Sequence, residues 1–449
     1  MDARSSTGNI NLAGYLDDRV DAGVVRVDRS VFTDPEIFEL EMERIWEGNW
    51  IYMAHESQIP NPNDFMTLFM GRQPVILVRS PEGEINAFIN ACGHRGTTLV
   101  REMRGNRADY SCPFHGWVFD TRGDAKVVFK EDGAGYPPCF DKKNYGLTRV
   151  ARVQSYRGFI FGSLNADVLP LEQHLGPAAT CIDLLADQSP QGLEVLKGSS
   201  TYTFKGNWKI QAENGVDGYH LYATHGNYVM TTEHRRKLRG DADPVKAMQV
   251  GGIDKKKGGF FDLGHGHVML WGDFPNPTDR PNYDQLPAYT EKFGAQRAHW
   301  MVARLRNLLL YPNVFLMDQT SSQIRVFRPL SVDETEVTIY GIAPKGEDPK
   351  NRAHRIRQWE DFFNASGMAT PDDIMEFTQS QIAFKAKAAR WNDLSRGLEH
   401  VHFNAPSPDA AELGIDKPLP SYGTKLEDEG IMLAQHRWWR DILSSGPKG

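Results

Sequence analysis

The tightest constraint on this chain lies between Cys92 and Trp117, where it reads CGHRGTTLVREMRGNRADYSCPFHGW. Cys92 and His94 form one short cluster and Cys112 and His115 a second, each with one thiol and one imidazole. If all four serve a single metal centre, two loops must face each other across it, and the chain around them must hold them there. Thiolate and neutral imidazole both suit zinc, so a closed Cys2His2 site is the simplest alternative. Zinc fingers, however, pair Cys with Cys and His with His. One ligand of each kind on each loop suits a [2Fe-2S] cluster in which two thiolates hold one iron and two imidazoles the other. Pro113 and Gly116 suit a tight turn, and Trp117 is placed to screen such a cluster from water.

The remaining composition is compatible with reduced thiols. Four cysteines among 449 residues are no disulfide framework. Cys139, in GYPPCF, and Cys181, in TCIDLLA, lack the metal-type context and take no role. The start, MDARSSTGNINLAGYLDD, has neither the basic nor the apolar region of a secretion signal. No apolar run approaches the roughly 20 residues of a membrane span. A cytoplasmic protein without membrane contact is expected. A formal charge of -7 argues against nucleic acid as a partner. The basic stretches at 234–239 and 255–257 are short and read as solvated surface.

Residues 30–50 carry apolar side chains at helical spacing. From 65 onward the pattern is that of strands. PVILVRS-PEGE-INAFINA predicts a hairpin turning at 81–83, ADYSCPFHGWVFD-TRGD-AKVV a second, and VQSYRGFIFGSL a further strand. Both Cys/His pairs therefore fall at hairpin ends, and 45–160 reads as an all-β domain. Beyond it, 198–208 and 321–344 alternate as strands do, while 350–366 reads as a helix stopped by Gly367. The second part is α+β with strands of antiparallel type.

A second constellation lies in NWKIQAENGVDGYHLYATHGNY, which gathers Glu213, Asn214, Asp217, His220 and His225. Two histidines five residues apart point about 140° away from each other on a regular helix. They converge only if the helix is widened or ends between them, and the nearby glycines make that credible. Two imidazoles and one carboxylate form the facial triad of mononuclear non-haem iron(II), with positions left open. The plain alternative is two unrelated histidines. Asp217 is the nearest acid. In GMATPDDIMEF, Thr370, Pro371, Asp372 and Asp373 read from spacing alone as a capped helix start. His265 and His267, in GHGHVML, read as one face of a strand, packed rather than metal-bound.

Taken together, CGHRG with CPFHGW, AENGVDGYHLYATH and PDD at 371–373 resemble the large (alpha) subunits of Rieske-type aromatic-ring-hydroxylating dioxygenases. WEGNW, AHESQIPNPNDF and NASGMATPDD resemble the benzoate, toluate and anthranilate 1,2-dioxygenase branch. The resemblance implies an all-β Rieske domain (45–160) inserted in a larger catalytic domain, with 1–44 as its helical start and 161–449 as its antiparallel sheet flanked by helices. Cys92 and Cys112 would hold one cluster iron, and His94 and His115 the other. His220, His225 and Asp373 would hold the mononuclear iron, which overrides the capping reading of Asp373. Asp217 would link the metals, contacting His220 and, across a subunit boundary, the His115 position of a neighbour. Asn214 would sit near the iron, and Leu221 and Phe363 in the substrate pocket. The family carries Trp where this chain has Gly226. Implied partners are a flavin and Fe-S reductase fed by NADH, and a ring of three alpha subunits, alone or with three small beta subunits. The implied reaction adds both atoms of O2 to an aromatic carboxylate. A monooxygenase acting on an acid such as salicylate, and an electron carrier without an oxygenase site, are the alternatives. No G-x-G-x-x-G follows a strand, in keeping with a separate reductase.

Overall fold

The computed structural model describes residues 11–132, 135–240 and 251–445. The chain divides into two compact units, one spanning Met42–Leu171 and the other built from the chain on both sides of it.

The Met42–Leu171 unit is made of three small antiparallel sheets. The predicted hairpin at 81–83 forms between Gln73–Arg79 and Ile85–Ile89, and Asp64–Met70 and Arg104–Asn106 complete its sheet. The second hairpin pairs Asp109–Ser111 with Val118–Asp120, with CPFHGW at its tip. The expected single strand at 153–164 is instead two, Arg152–Tyr156 and Phe159–Ser163. Arg157 (φ 52°) and Gly158 (φ 90°) turn the chain between them, as a two-residue hairpin loop requires. Phe65, Ile76, Val78, Phe88, Tyr110 and Phe119 form the core, and Cys92, Cys112 and Trp117 are buried in it.

The other unit is organised by a ten-stranded antiparallel sheet. Its centre is Gly258–Gly264, His267–Asp273, Arg304–Leu310, Val314–Asp318 and Ser322–Ser331 in adjacent order. The expected strand carrying both His265 and His267 is a hairpin turn: His265 lies in the turn at φ 52°, and His267 begins the next strand. His267 accepts from the Tyr311 amide, His265 bonds the His174 carbonyl, and the three rings pack together. Burial pushes His267 far down and His174 down to about 3.

Alternation along the strands gives the sheet two different faces. Leu270, Asn307, Met317 and Gln323 lie opposite one another across four strands, on the same face as Leu305, Phe315 and Arg325. The reverse face carries Arg306 opposite Asp318, and Asp318 opposite Ser322. There Asp318, 2 % exposed, accepts from Arg306, Arg280, Gln188 and Ser322.

The expected helix at 30–50 is shorter and broken. A 3-10 turn at Arg29–Phe32 precedes an α-helix at Pro35–Glu41, which widens into a π-turn at Met42–Trp46. The helix expected at 350–366 ends at Phe362, before Gly367. No helix among the described residues is long and apolar enough to cross a membrane.

Candidate metal centres

The two Cys/His loops are built alike. In each, the Cys carbonyl accepts from the amide of a glycine four residues on, Gly96 at 2.9 Å and Gly116 at 3.0 Å. In each, the Cys amide donates to a carbonyl five residues on, Thr97 at 2.9 Å and Trp117 at 2.7 Å. Both glycines have φ 71°, which side-chain-bearing residues rarely adopt. Cys92 and Cys112 are free thiols, 5 % and 3 % exposed. Burial pushes the Cys92 thiol up, as does neighbouring Cys112. The His94 and His115 rings lie 4.7 Å apart, and Trp117 stacks on His94 at 4.8 Å. His94 Nδ1 is buried and has no hydrogen-bond partner among the described residues. Two buried thiols, two adjacent imidazoles and an orphaned ring nitrogen fit a bridged iron pair better than a hydrophobic core. Cys139 is exposed and Cys181 is a buried helix residue.

In the other unit, His220, His225 and Asp373 each turn one ligand atom to a common point. His220 Nε2 and His225 Nε2 are 3.2 Å apart, and they lie 3.5 and 3.3 Å from Asp373 Oδ1. Ligands about 2.1 Å from one ion, subtending about 90–110°, sit about 3.0–3.4 Å apart, so the set fits a metal. The five-residue spacing works because the helix stops between the histidines. His220 precedes the single turn Leu221–Thr224, and His225 (φ −100°, ψ 21°) ends it before a new helix starts at Gly226. A Cβ at Gly226 would meet nothing within 4 Å.

The segment before His220 is pinned to the sheet. Asn307 Nδ2 donates to the Gly215 carbonyl at 2.8 Å. A Cβ at Gly215 would lie 2.3 Å from the Phe315 ring, and one at Gly218 would lie 2.1 Å from the Leu426 carbonyl oxygen. Asp217 Oδ2 is 3.3 Å from His220 Nδ1, while Asp217 Oδ1 accepts from the Tyr219 amide at 2.7 Å. Glu213 faces elsewhere, bonded to His436 at 2.7 Å. Asn214 Nδ2 is 3.2 Å from Asp373 Oδ1 and 3.4 Å from His220 Nε2.

Asp373 reaches the point from the first turn of the helix Thr370–Phe384. Its capping reading does not hold: Ala369 occupies the cap position, without a side-chain cap, and Asp373 is 7 % exposed. Thr370 is not a cap either, since its hydroxyl donates to the Phe363 carbonyl at 2.9 Å. Burial pushes the Asp373 carboxyl up, but the His225 hydrogen bond, the charges of His225 and His220, and Arg325 bring it below the usual range. Burial lowers His220, and the Asp217 hydrogen bond and the Asp373 charge more than offset that. Asp217→Asn is expected to weaken binding of a divalent metal by roughly 10- to 100-fold, because the ring loses its charge-assisted orienting bond. Equilibrium dialysis of the apo-protein against iron(II) checks this.

The triad opens into a pocket of about 730 Å³, counting its mouth. Leu221, Ile253, Phe274, Phe362 and Phe363 wall it. The sheet face supplies a floor of Leu270, Leu305, Asn307, Met317 and Arg325. Sequence reasoning found Leu221 and Phe363 but missed the floor, which belongs to no motif.

Residues 49–137 match the model of the Rieske [2Fe-2S] domain, and residues 194–445 that of the ring hydroxylating alpha subunit (catalytic domain). The chain is 50% identical over 439 residues to the toluate 1,2-dioxygenase alpha subunit of Pseudomonas putida, covering 97% of this chain and 95% of that one. It is 46% identical over 441 residues to the anthranilate 1,2-dioxygenase large subunit of Acinetobacter baylyi, covering 96% and 92%. Its fold is similar to a naphthalene 1,2-dioxygenase structure with indole bound in the active site, with TM-score 0.79 and 25% identity over 94% of this chain and 93% of that one.

Proposed function

Because this chain belongs to the Rieske ring-hydroxylating alpha-subunit family, we propose that it adds both atoms of O2 to the ring of an aromatic carboxylate. The substrate is of the benzoate, substituted benzoate or anthranilate type, and the product is a cis-dihydrodiol. The observation that carries this is a metal-type triad at the end of a pocket walled by Leu221, Ile253, Phe274, Phe362 and Phe363. The relatives named for toluate and anthranilate support the acid group on that ring.

The enzyme uses a [2Fe-2S] cluster and a mononuclear iron. Cys92, His94, Cys112 and His115 would hold the first, and His220, His225 and Asp373 the second. When bound, these metals supply electrons one at a time, from NADH through a separate reductase, and open positions for O2. The chain's own side chains do the rest. Asp217, 3.3 Å from His220 Nδ1, would orient that ring so that Nε2 presents its lone pair to the triad point. Asn214 donates to Asp373 Oδ1 and fixes the rotation of that carboxylate. Leu221, Phe362 and Phe363 exclude water and hold a flat ring over the triad.

The cluster domain is assigned to 45–160, and the catalytic domain to 1–44 with 161–449. The working assembly is a cytoplasmic ring of three such chains, with or without small beta subunits, served by a flavin and Fe-S reductase. Asp217 keeps 23% of its side chain exposed, and that edge is available to a neighbouring copy. The test supplies reductase, NADH and labelled O2 to the holoenzyme with a panel of benzoates. Two labelled oxygens in a diol product are expected. One labelled oxygen would make the enzyme a monooxygenase, and no oxidised arene would overturn the reading.

A further inference from the structure

An apolar pocket explains why a ring binds but not how a carboxylate survives there. Stripping a carboxylate of water costs several kcal/mol unless a charged or multiple hydrogen-bond partner replaces that water. The floor of the pocket holds one group suited to the task. Arg325 lies on the strand Ser322–Ser331, opposite Phe315, and is 4 % exposed. Apart from the two triad histidines, it is the one cationic side chain among the described residues lining the pocket.

The other buried arginines of this unit are matched with acids. Arg280 and Arg306 share Asp318, Arg355 meets Glu347, and Arg304 meets Asp273 and Glu412. The Arg325 side chain has no hydrogen bond or ion pair with any described residue, and its Nε is buried and unpartnered. Burying a guanidinium without a partner is costly enough to need a reason. Asp373, whose carboxyl it helps to lower, is committed to His220, His225 and Asn214. A second polar group lining the same pocket is also open: Thr320, 1 % exposed, has an unpartnered Oγ1. The neighbouring amides are engaged, with Gln319 donating to Asn307 at 2.6 Å and Asn307 to Gly215.

We infer that Arg325, assisted by the Thr320 hydroxyl, receives the carboxylate of the aromatic acid, and so determines both the preference for acids and which edge of the ring faces the triad. This rests on the function proposed above and adds a specificity residue to it. A planar guanidinium suits the role, since it can meet a carboxylate through two parallel hydrogen bonds. It also explains how one floor serves several substituted benzoates: the anchor reads the shared acid group, while the apolar wall tolerates the substituent.

The test measures dissociation constants of labelled benzoate and of neutral benzamide by equilibrium dialysis against the iron-loaded holoenzyme. Arg325→Gln is expected to weaken benzoate on the order of a hundredfold, the usual scale for removing one member of a buried charge pair. Benzamide should change by less than about threefold, because its neutral head group gains little from the lost charge. Thr320→Val should weaken benzoate roughly tenfold. If the glutamine variant does not fold, Arg325→Lys decides, since it keeps the charge but loses the fork and should weaken benzoate about tenfold with benzamide unmoved. Unchanged benzoate affinity, an equal loss for both ligands, or loss of the mononuclear iron from the variant would each overturn the inference and leave the proposed function standing. A wild-type holoenzyme that binds no aromatic carboxylate at all would instead overturn the proposed function.

Discussion

His225→Ala is expected to abolish ring oxidation while leaving the visible absorption of the [2Fe-2S] cluster in place. His225 is 3 % exposed, its Nε2 is 3.3 Å from Asp373 Oδ1, and its ring packs edge-on against Phe362. Alanine removes a donor and leaves a void against Phe362, and with only His220 and Asp373 the remaining site is too poor to retain iron. The fall in rate should be well beyond the roughly 10- to 100-fold that loss of an orienting partner costs. Product analysis with iron and sulfide determination checks both halves: one equivalent of iron disappears per chain, and the sulfide content stays. A variant that still oxidises a benzoate at wild-type rate would remove His225 from the iron site.

The largest expected effect on stability lies elsewhere. Glu41→Ala is expected to cost about 3–5 kcal/mol, the range for breaking a buried ion pair from one side. Glu41 is fully buried and Lys209 is 3 % exposed. One Glu41 oxygen accepts from Lys209 Nζ at 2.5 Å and Trp439 Nε1 at 2.6 Å, and the other from Trp208 Nε1 at 2.8 Å. Removing the carboxylate strands an ammonium and two indole donors in one step. Burial already drives the Lys209 ammonium below its usual range, and the attraction of Glu41 opposes that. In the variant the opposition is gone, so the folded lysine sheds its proton earlier still. The unfolded chain holds that proton up to about 10.4, so stability rises with pH between the folded and unfolded values and the penalty shrinks. Denaturant unfolding at neutral and alkaline pH measures this. A loss under about 1 kcal/mol would mean the site relaxes or admits water. Lys209 lies in the first turn of the helix Trp208–Asn214, so the damage would also reach Asn214 beside the triad.

The metal-type residues were legible because their chemistry leaves few readings. Two mixed Cys/His pairs, each followed by a glycine at the same offset from its cysteine, specify paired loops. His220 and His225 were legible as a problem, since five residues of regular helix would separate them, and the structure answers it by ending one helix at His225 and starting another at Gly226. Asp373 was harder. An acid in a first helical turn reads as dipole pairing from spacing alone; the family resemblance pointed to Asp373 instead, and the fold turns it to the same point as His220 and His225. The pocket floor was not legible at all. Strand alternation says that Arg306 and Asn307 face opposite ways, but not which of them faces a ligand. Arg325 sits among apolar neighbours in SQIRVFRPL, where nothing local separates it from the arginines that find acids.

The two faces of the central sheet have a consequence for fidelity. One residue of slippage of Val314–Asp318 against Arg304–Leu310 would turn Asp318 towards the substrate and hide Met317 behind. It would also pull Asp318 from Arg280 and Arg306 in a place where water cannot compensate. The charged knot on the reverse side thus acts as a key for alignment: a chain that pairs its strands wrongly forfeits its own stability before it can present a misassembled cavity to the wrong arene.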